Sequence, residues 1–325
     1  MRVLIVGGTS FVGRAISWSA WHHGHAVTVL NRGVTPSDLP ESVEHLTGDR
    51  QGDLSALHDR SFDATIDVTA YRPRDVERLA DALDARGGHY LQVSSVSAYQ
   101  SPHDEGAVES TLTLHETAGL DAASPISAAT YGPLKAASER AGVDLFGPVV
   151  TVVRPTYVVG SHDATLRFPY WVERLRRGGD VAIPGPRTHA LQYIDARDLA
   201  NFVVRLVDDG RAGACHVTGP RPGERFVAVL ESIAAQVAPA GTRLREIAPA
   251  QVTAAGLGDK FPLWSGPEDE TLLALESALA LSYGLDLRPL EDSVNDVVEW
   301  WGERAWPEHW LDPSDEQRLL ALLDR

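Results

Sequence analysis

The first half of the chain alternates short apolar runs with stretches of helical period. RVLIVG at residues 2–7 reads as a strand, followed by a helix from about Phe11 to His23 that closes at Gly24. AVTVLN and VEHLTG read as the next two strands. DATIDV and HYLQVSS follow as strands, separated by the helical PRDVERLADALDAR, and VVTVVRP at 149–155 is a further β-branched run. Runs this uniformly apolar suit strands buried on both faces, and helix-length spacers return the chain so that each strand lies parallel to the last. The pattern predicts a doubly wound α/β domain, a Rossmann-type parallel sheet covered on both sides.

After about residue 160 the pattern loosens. ALQYIDARDLANFVVRLV reads as strand then helix, and ACHVTG as a strand placed to rejoin the sheet. DKFPLWSGPEDE, 259–270, reads as a loop in a tail rich in Pro, Gly and helix signals. The expected division is a dinucleotide-binding domain over 1–160 plus about 189–219, with a smaller substrate-binding subdomain over about 161–188 and 220–325. The stretch 101–128, between a strand end and a helix, is long for a connection, and such loops are usually functional or mobile.

Composition narrows the function classes. The 325 residues are 43% hydrophobic and 23% charged, ordinary for a globular protein, and no apolar run is long enough to span a bilayer. MRVLIVGGTS is too short and glycine-broken for a signal peptide and reads as a first strand. One cysteine, Cys215 in an apolar run, excludes an internal disulfide and suits a reducing cytoplasm. The net charge of −16 repels phosphate backbones and anionic lipid, so neither nucleic acid nor membrane is an expected partner. His22, His23 and His25 suit a helix end better than a metal site, and no metal is expected. The tail tryptophans Trp300, Trp301, Trp306 and Trp310 read as packing or interface residues.

VLIVGGTSFVG places Gly7, Gly8 and Gly13 at the junction of the first strand and helix. In a dinucleotide fold the first glycine makes the tight turn and the last lets helix pack on strand, while the pyrophosphate sits on the helix N-terminus. Gly7, Thr9, Ser10, Phe11, Val12 and Gly13 are therefore candidate cofactor residues. Ser10 stands where the middle glycine of the pattern is expected, which bears on how closely the backbone approaches the pyrophosphate. About 18 residues on, the second strand ends in Asn31-Arg32 without the carboxylate typical of NAD sites; the arginine leans towards NADP, so the cofactor is NAD or NADP. Asp49 and Arg50 follow the third strand, beside the expected adenine pocket.

The chain contains only two lysines among its 29 basic residues, and one of them, Lys135, stands four positions after Tyr131 in TYGPLKAASER. With Thr130 as N-cap, Pro133 falls in the first turn and the pair lies on one helical face. Hydride chemistry on an alcohol needs a base for the hydroxyl proton. A phenol of ordinary pKa near 10 is a poor one at neutral pH, and a nearby ammonium favours the phenolate. LQVSSVSAYQ offers Ser94, Ser95 and Ser97 as hydroxyl partners at the end of the preceding strand.

GGTSFVG, VSSVSAY, YGPLK, VVRPTYVVG and QYIDARDLA together resemble the extended short-chain dehydrogenase/reductase superfamily, and within it the NAD-dependent epimerase/dehydratase group. The likeness covers nearly the whole chain and extends to chloroplast RNA-binding relatives. It implies Ser95, Tyr131 and Lys135 as the catalytic set, with Thr69, Ala70 and Tyr71 and Pro155 to Tyr157 lining the nicotinamide side. Ser97 and Tyr157 would face substrate. Where sugar 4,6-dehydratases carry Asp-Glu after the hydroxyl residue, this chain has Val96 and Ser97, which argues against water elimination. The longer interval from Ser95 to Tyr131 suggests an extra loop over the site. Arg167, Arg176, Arg177 and Arg187 fall in the substrate region, where an anionic ligand would need positive charge; Arg167 and Arg187 are the substrate candidates.

The resulting expectation is an NAD(P)-dependent oxidoreductase or epimerase for a small sugar-like substrate, nucleotide-linked or free. Its alternatives are a one-way ketoreductase of a non-sugar metabolite and a non-catalytic nucleotide- or RNA-binding relative. Superfamily habit implies a homodimer.

Overall fold

Seven parallel strands form the central sheet of the computed structural model, which describes residues 1–101, 104–120, 123–219, 225–266 and 274–323. In chain order the strands are β1 (Arg2–Val6), β2 (Ala26–Asn31), β3 (Glu44–Thr47), β4 (Ala64–Asp67), β5 (His89–Val93) and β6 (Thr151–Pro155). Then come β7 (Tyr157–Val159), β8 (Asp180–Pro184), β9 (Tyr193–Asp195), β10 (Gly213–Val217) and β11 (Arg243–Ile247). The sheet order is β10-β6-β5-β4-β1-β2-β3, every pairing parallel. The winding reverses between β1 and β4, which opens a crevice at their carboxyl ends. ACHVTG does return to the sheet, as edge strand β10 beside β6.

The helices that matter for the site are α1 (Phe11–His22), α2 (Pro73–Leu83), α3 (Ala128–Phe146), α4 (Arg167–Arg177), α5 (Ala196–Asp208) and α6 (Phe226–Val237). Successive β1 side chains point to opposite faces. Ile5 packs with Ile16 of α1 and Phe202 of α5, whereas Leu4 packs with Leu79 of α2 and Tyr90. A second core gathers α4, α6, the β8–β11 ladder and the helix Leu290–Trp301 around Trp171, whose ring lies 5.4 Å from Phe226 and 6.4 Å from Phe261. Ala280 and Leu285 cross back to the first core.

Of the tail tryptophans, Trp301 is buried in the second core, Trp306 packs on that core beneath the Arg177 guanidinium, and the Trp310 indole donates to the Thr165 carbonyl at 2.7 Å. Part of the long connection (102–103 and 121–122) and part of the 259–270 loop (267–270) lie outside the described residues.

Candidate active site

The crevice holds a cavity of about 510 Å³ at the carboxyl ends of β1, β4, β5 and β6. A neighbouring recess of about 350 Å³ runs to the ends of β2 and β3. Both are lined by Gly7, Ser10, Thr69 and Tyr71, so they form one elongated groove across the switch point. The glycine turn is sterically compulsory. Gly7 has φ +86, and a Cβ there would lie 2.4 Å from Thr69 Cγ2. A Cβ on Gly13 would lie 2.0 Å from the Gly7 carbonyl oxygen, so helix meets strand only without a side chain. Ser10 is the N-cap of α1 with φ −131 and ψ 139, extended backbone open to any residue, so the missing glycine imposes no strain. A close turn, a free helix N-terminus and a two-lobed groove fit a dinucleotide.

Thr9, Asn31, Arg32 and Asp49 line the second recess. Arg32 has no ion pair among the described residues, whereas Asn31 and Asp49 each accept a backbone N–H two residues on, at 2.7 and 2.9 Å. Arg50 reaches the recess wall, but its guanidinium grips both Asp67 oxygens at 2.7 and 2.9 Å and the Thr69 hydroxyl at 2.8 Å. It therefore anchors the end of β4 rather than standing free for adenine.

At the end of β5 the three candidate serines separate. The Ser94 hydroxyl is buried and donates to Glu139, whose carboxylate is also held by Arg154. Ser95 turns the other way. Its Oγ accepts from the Ser97 amide at 3.1 Å, lies 3.2 Å from Ser97 Oγ and stands close enough to the Tyr131 phenol to draw its pKa down.

Helix α3 starts three residues earlier than Thr130 as N-cap would have it. Ser127 is the cap, and Thr130 is the third helical residue, accepting from the Ser127 amide at 2.9 Å. Pro133 thus lies inside the helix rather than in its first turn, yet Tyr131 and Lys135 still share a face. Gly132 explains how the phenol arrives: a Cβ there would lie 2.2 Å from the Ser97 carbonyl oxygen and 2.9 Å from His115 Nε2. Gly132→Ala is expected to push α3 away from Ser95 and lower kcat by about 10²-fold with NAD affinity nearly unchanged, since misplacement near 1 Å has that scale. Steady-state kinetics beside a fluorescence titration of NADH checks it.

Lys135 is buried, and its Nζ donates to the Ala70 and Val93 carbonyls at 2.9 Å each, 5.2 Å above the Tyr71 ring centre. Burial brings the ammonium down to about 8. Burial, and to a lesser extent Tyr71, raises the Tyr131 phenol, while the Ser95 hydroxyl and the Arg167 charge pull it back. The ammonium is tied to two strand-end carbonyls, and Arg167 is a further cation bearing on Tyr131.

Several expected residues take other roles. Ala70 contributes its carbonyl to Lys135 and does not line the cavity, and Gly13 sits where helix packs on strand. Arg187 is off the cavity wall and pairs with Glu231; Arg176 and Arg177 both pair with Glu173. Phe11, Val12, Pro155, Thr156, Tyr157 and Arg167 do line the cavity, with Ser265 unforeseen beside them. His115, from the long connection, brings its ring beside the Ser97 backbone; no spacing in the sequence marked it. Cys215 is buried and its thiol is pushed up to about 12, an inert state. The His22 and His23 rings bond carbonyls one turn back at 2.8 Å. Among the described residues no helix is long and apolar enough to cross a membrane.

A parallel sheet wound both ways, with a glycine turn at its switch point and a Ser-Tyr-Lys set beside it, is the architecture of the extended short-chain dehydrogenase/reductases. Residues 3–219 match the NAD dependent epimerase/dehydratase family, and the chain belongs to that family. Among curated proteins it is similar to the chloroplast stem-loop binding protein of 41 kDa b of Arabidopsis thaliana, 26% identical over 233 residues. That match covers 65% of this chain and 56% of the plant protein, so the chain spans little more than half of that relative. Among solved structures, UDP-N-acetylglucosamine 4-epimerase from Bacillus cereus superposes with a TM-score of 0.68 at 15% identity, over 93% of this chain and 100% of that one. Bordetella bronchiseptica WbmH, solved in complex with NAD+, gives 0.67 at 16% identity over 93% and 98%. At these identities the shared property is the fold.

Proposed function

We propose that this protein is an NAD-dependent epimerase or reductase acting at one hydroxyl, or the corresponding ketone, of a small sugar-like molecule. One observation carries the reading: Ser95, Ser97, Tyr131 and Lys135 line a single cavity directly beside the glycine turn of a dinucleotide groove. The α1 N-terminus, from Gly7 to Val12, would hold the pyrophosphate, with Asn31, Arg32 and Asp49 around the adenosine. Arg32 suits a 2′-phosphate as well, which extends the reading to NADP. A bound nicotinamide would accept or return hydride. Tyr131 Oη takes the hydroxyl proton on oxidation and gives it back on reduction. Ser95 Oγ orients the substrate oxygen towards that phenol. Lys135 has used two of its three N–H groups on carbonyls, which leaves one for a cofactor ribose hydroxyl. The cavity wall carries no carboxylate among the described residues, consistent with Val96 and Ser97 replacing an eliminating acid and base. We assign cofactor binding to the sheet domain and substrate binding to the core around Trp171.

Incubation with NADH and a panel of carbonyl compounds and sugars tests this. Stoichiometric loss of absorbance identifies a reductase, and isomerisation without net loss identifies an epimerase. Neither activity with any member, alongside tight salt-sensitive binding of RNA, overturns the reading.

A further inference from the structure

Resting on that reading, we propose that Arg167 selects a small substrate carrying one anionic group, a carboxylate or a phosphomonoester, close to the reacting hydroxyl. Arg167 is the first residue of α4 and lines the same cavity as Ser95, Ser97 and Tyr131. Its backbone is held rigidly. Buried Asp163 accepts from the Thr165 amide and hydroxyl at 2.9 and 2.6 Å and from the Arg167 amide at 3.2 Å. The Trp310 indole holds the Thr165 carbonyl from the other side. The guanidinium lies over the Tyr157 ring, 5.4 Å from its centre, and its Nε donates to the Thr165 hydroxyl at 3.0 Å. Neither Nη nitrogen has a hydrogen-bond partner among the described residues, so a donor fork matched to a carboxylate or phosphate remains open.

Charge and volume limit what this fork serves. The other cation on the wall, Lys135, is tied to two carbonyls, and Arg176, Arg177 and Arg187 are paired with glutamates away from the wall. Arg167 has buried Asp163 3.9 Å from its Nε but keeps both Nη nitrogens open, and one such fork suits a single anionic group better than a diphosphate. A drug-sized ligand alone fills a cavity of roughly 300–1,000 Å³. The 510 Å³ here must also admit the reactive half of the cofactor, which leaves space for a small molecule rather than a second nucleotide. The Arg167 charge already bears on the Tyr131 phenol, so an anion it holds lies near the reacting position.

The test is an equilibrium titration of the full chain, loaded with NAD+, by glucose, glucuronate, glucose 6-phosphate and UDP-glucose. Glucuronate or glucose 6-phosphate is expected to bind at least about tenfold more tightly than glucose, and more tightly than UDP-glucose, as a charge-assisted pair allows. Whichever of the two gains more distinguishes carboxylate from phosphate. Arg167→Gln should remove the preference and leave NAD+ affinity unchanged, while Arg167→Lys restores part of it. Equal binding of glucose and both anions, tightest binding of UDP-glucose, a preference that survives Arg167→Gln, or no binding of any of the four overturns the inference. Failure of the wild-type chain to bind NAD+ strikes instead at the dehydrogenase reading on which it rests.

Discussion

Tyr131→Phe is expected to lower kcat by about 10²–10⁴-fold, the contribution of a positioned proton-transfer group, while NADH affinity stays within about threefold. The substitution removes one oxygen and keeps the ring, so the contact with Tyr71 at 6.5 Å between centroids and the course of α3 are preserved. What disappears is the phenol beside Ser95 on the cavity wall, the group proposed to exchange a proton with a substrate hydroxyl. Because burial holds this phenol above its ordinary value, oxidation by the wild-type protein should accelerate as pH rises and phenolate accumulates. The variant should lose that pH dependence along with the rate. Steady-state kinetics across pH, paired with NADH fluorescence, separates the two effects, and a fully active Tyr131→Phe protein refutes the proposed chemistry.

The second large effect concerns stability. Lys135 titrates at its ordinary 10.5 in the unfolded chain and at about 8 in the folded one. Below pH 8 both states hold the proton, and the folded state bears the full penalty of a buried ammonium. Between pH 8 and 10.5 the unfolded chain holds a proton that the folded chain has released, so stability rises with pH across that window. Relative to Lys135→Met, wild type should therefore gain about 2.5 kcal/mol between pH 7 and pH 10, because the unfolded chain holds nearly one extra proton across about two pH units at about 1.36 kcal/mol per pH unit. Comparison with the variant cancels the buried tyrosines, which titrate in both proteins. Urea unfolding of the pair at the two pH values measures the difference. A constant difference would mean that the lysine reaches water in the folded state. The methionine variant also loses the donor offered to the cofactor ribose, so its kcat should fall at pH 7.

Much of this was legible in the sequence because it is carried by local patterns. Uniform apolar runs announced buried parallel strands, and Gly7 and Gly13 announced a turn whose geometry excludes a Cβ. The four-residue spacing of Tyr131 and Lys135 put them on one helical face even though the helix begins at Ala128 rather than beyond Thr130. The cap was misplaced because Thr130 and Ser127 are both good capping residues, and their mutual hydrogen bonds settle which one closes the helix.

What the sequence by itself determined, then, is the winding of the sheet, the glycine turn and the residue types proposed for the chemistry, since each depends on neighbours a few positions apart. The tertiary structure supplied the reason Ser95 rather than Ser94 is available, Glu139 drawing the Ser94 hydroxyl away, and decided where the lysine charge goes, through carbonyls 65 and 42 residues distant. It also separated Arg167, whose Nε lies 3.9 Å from Asp163 but whose Nη nitrogens stay open on the wall, from Arg50 and Arg187, whose Nη nitrogens are taken by acids 17 and 44 residues away. An arginine looks the same in any sequence; whether it is a ligand or a strut depends on the carboxylates that folding brings to it.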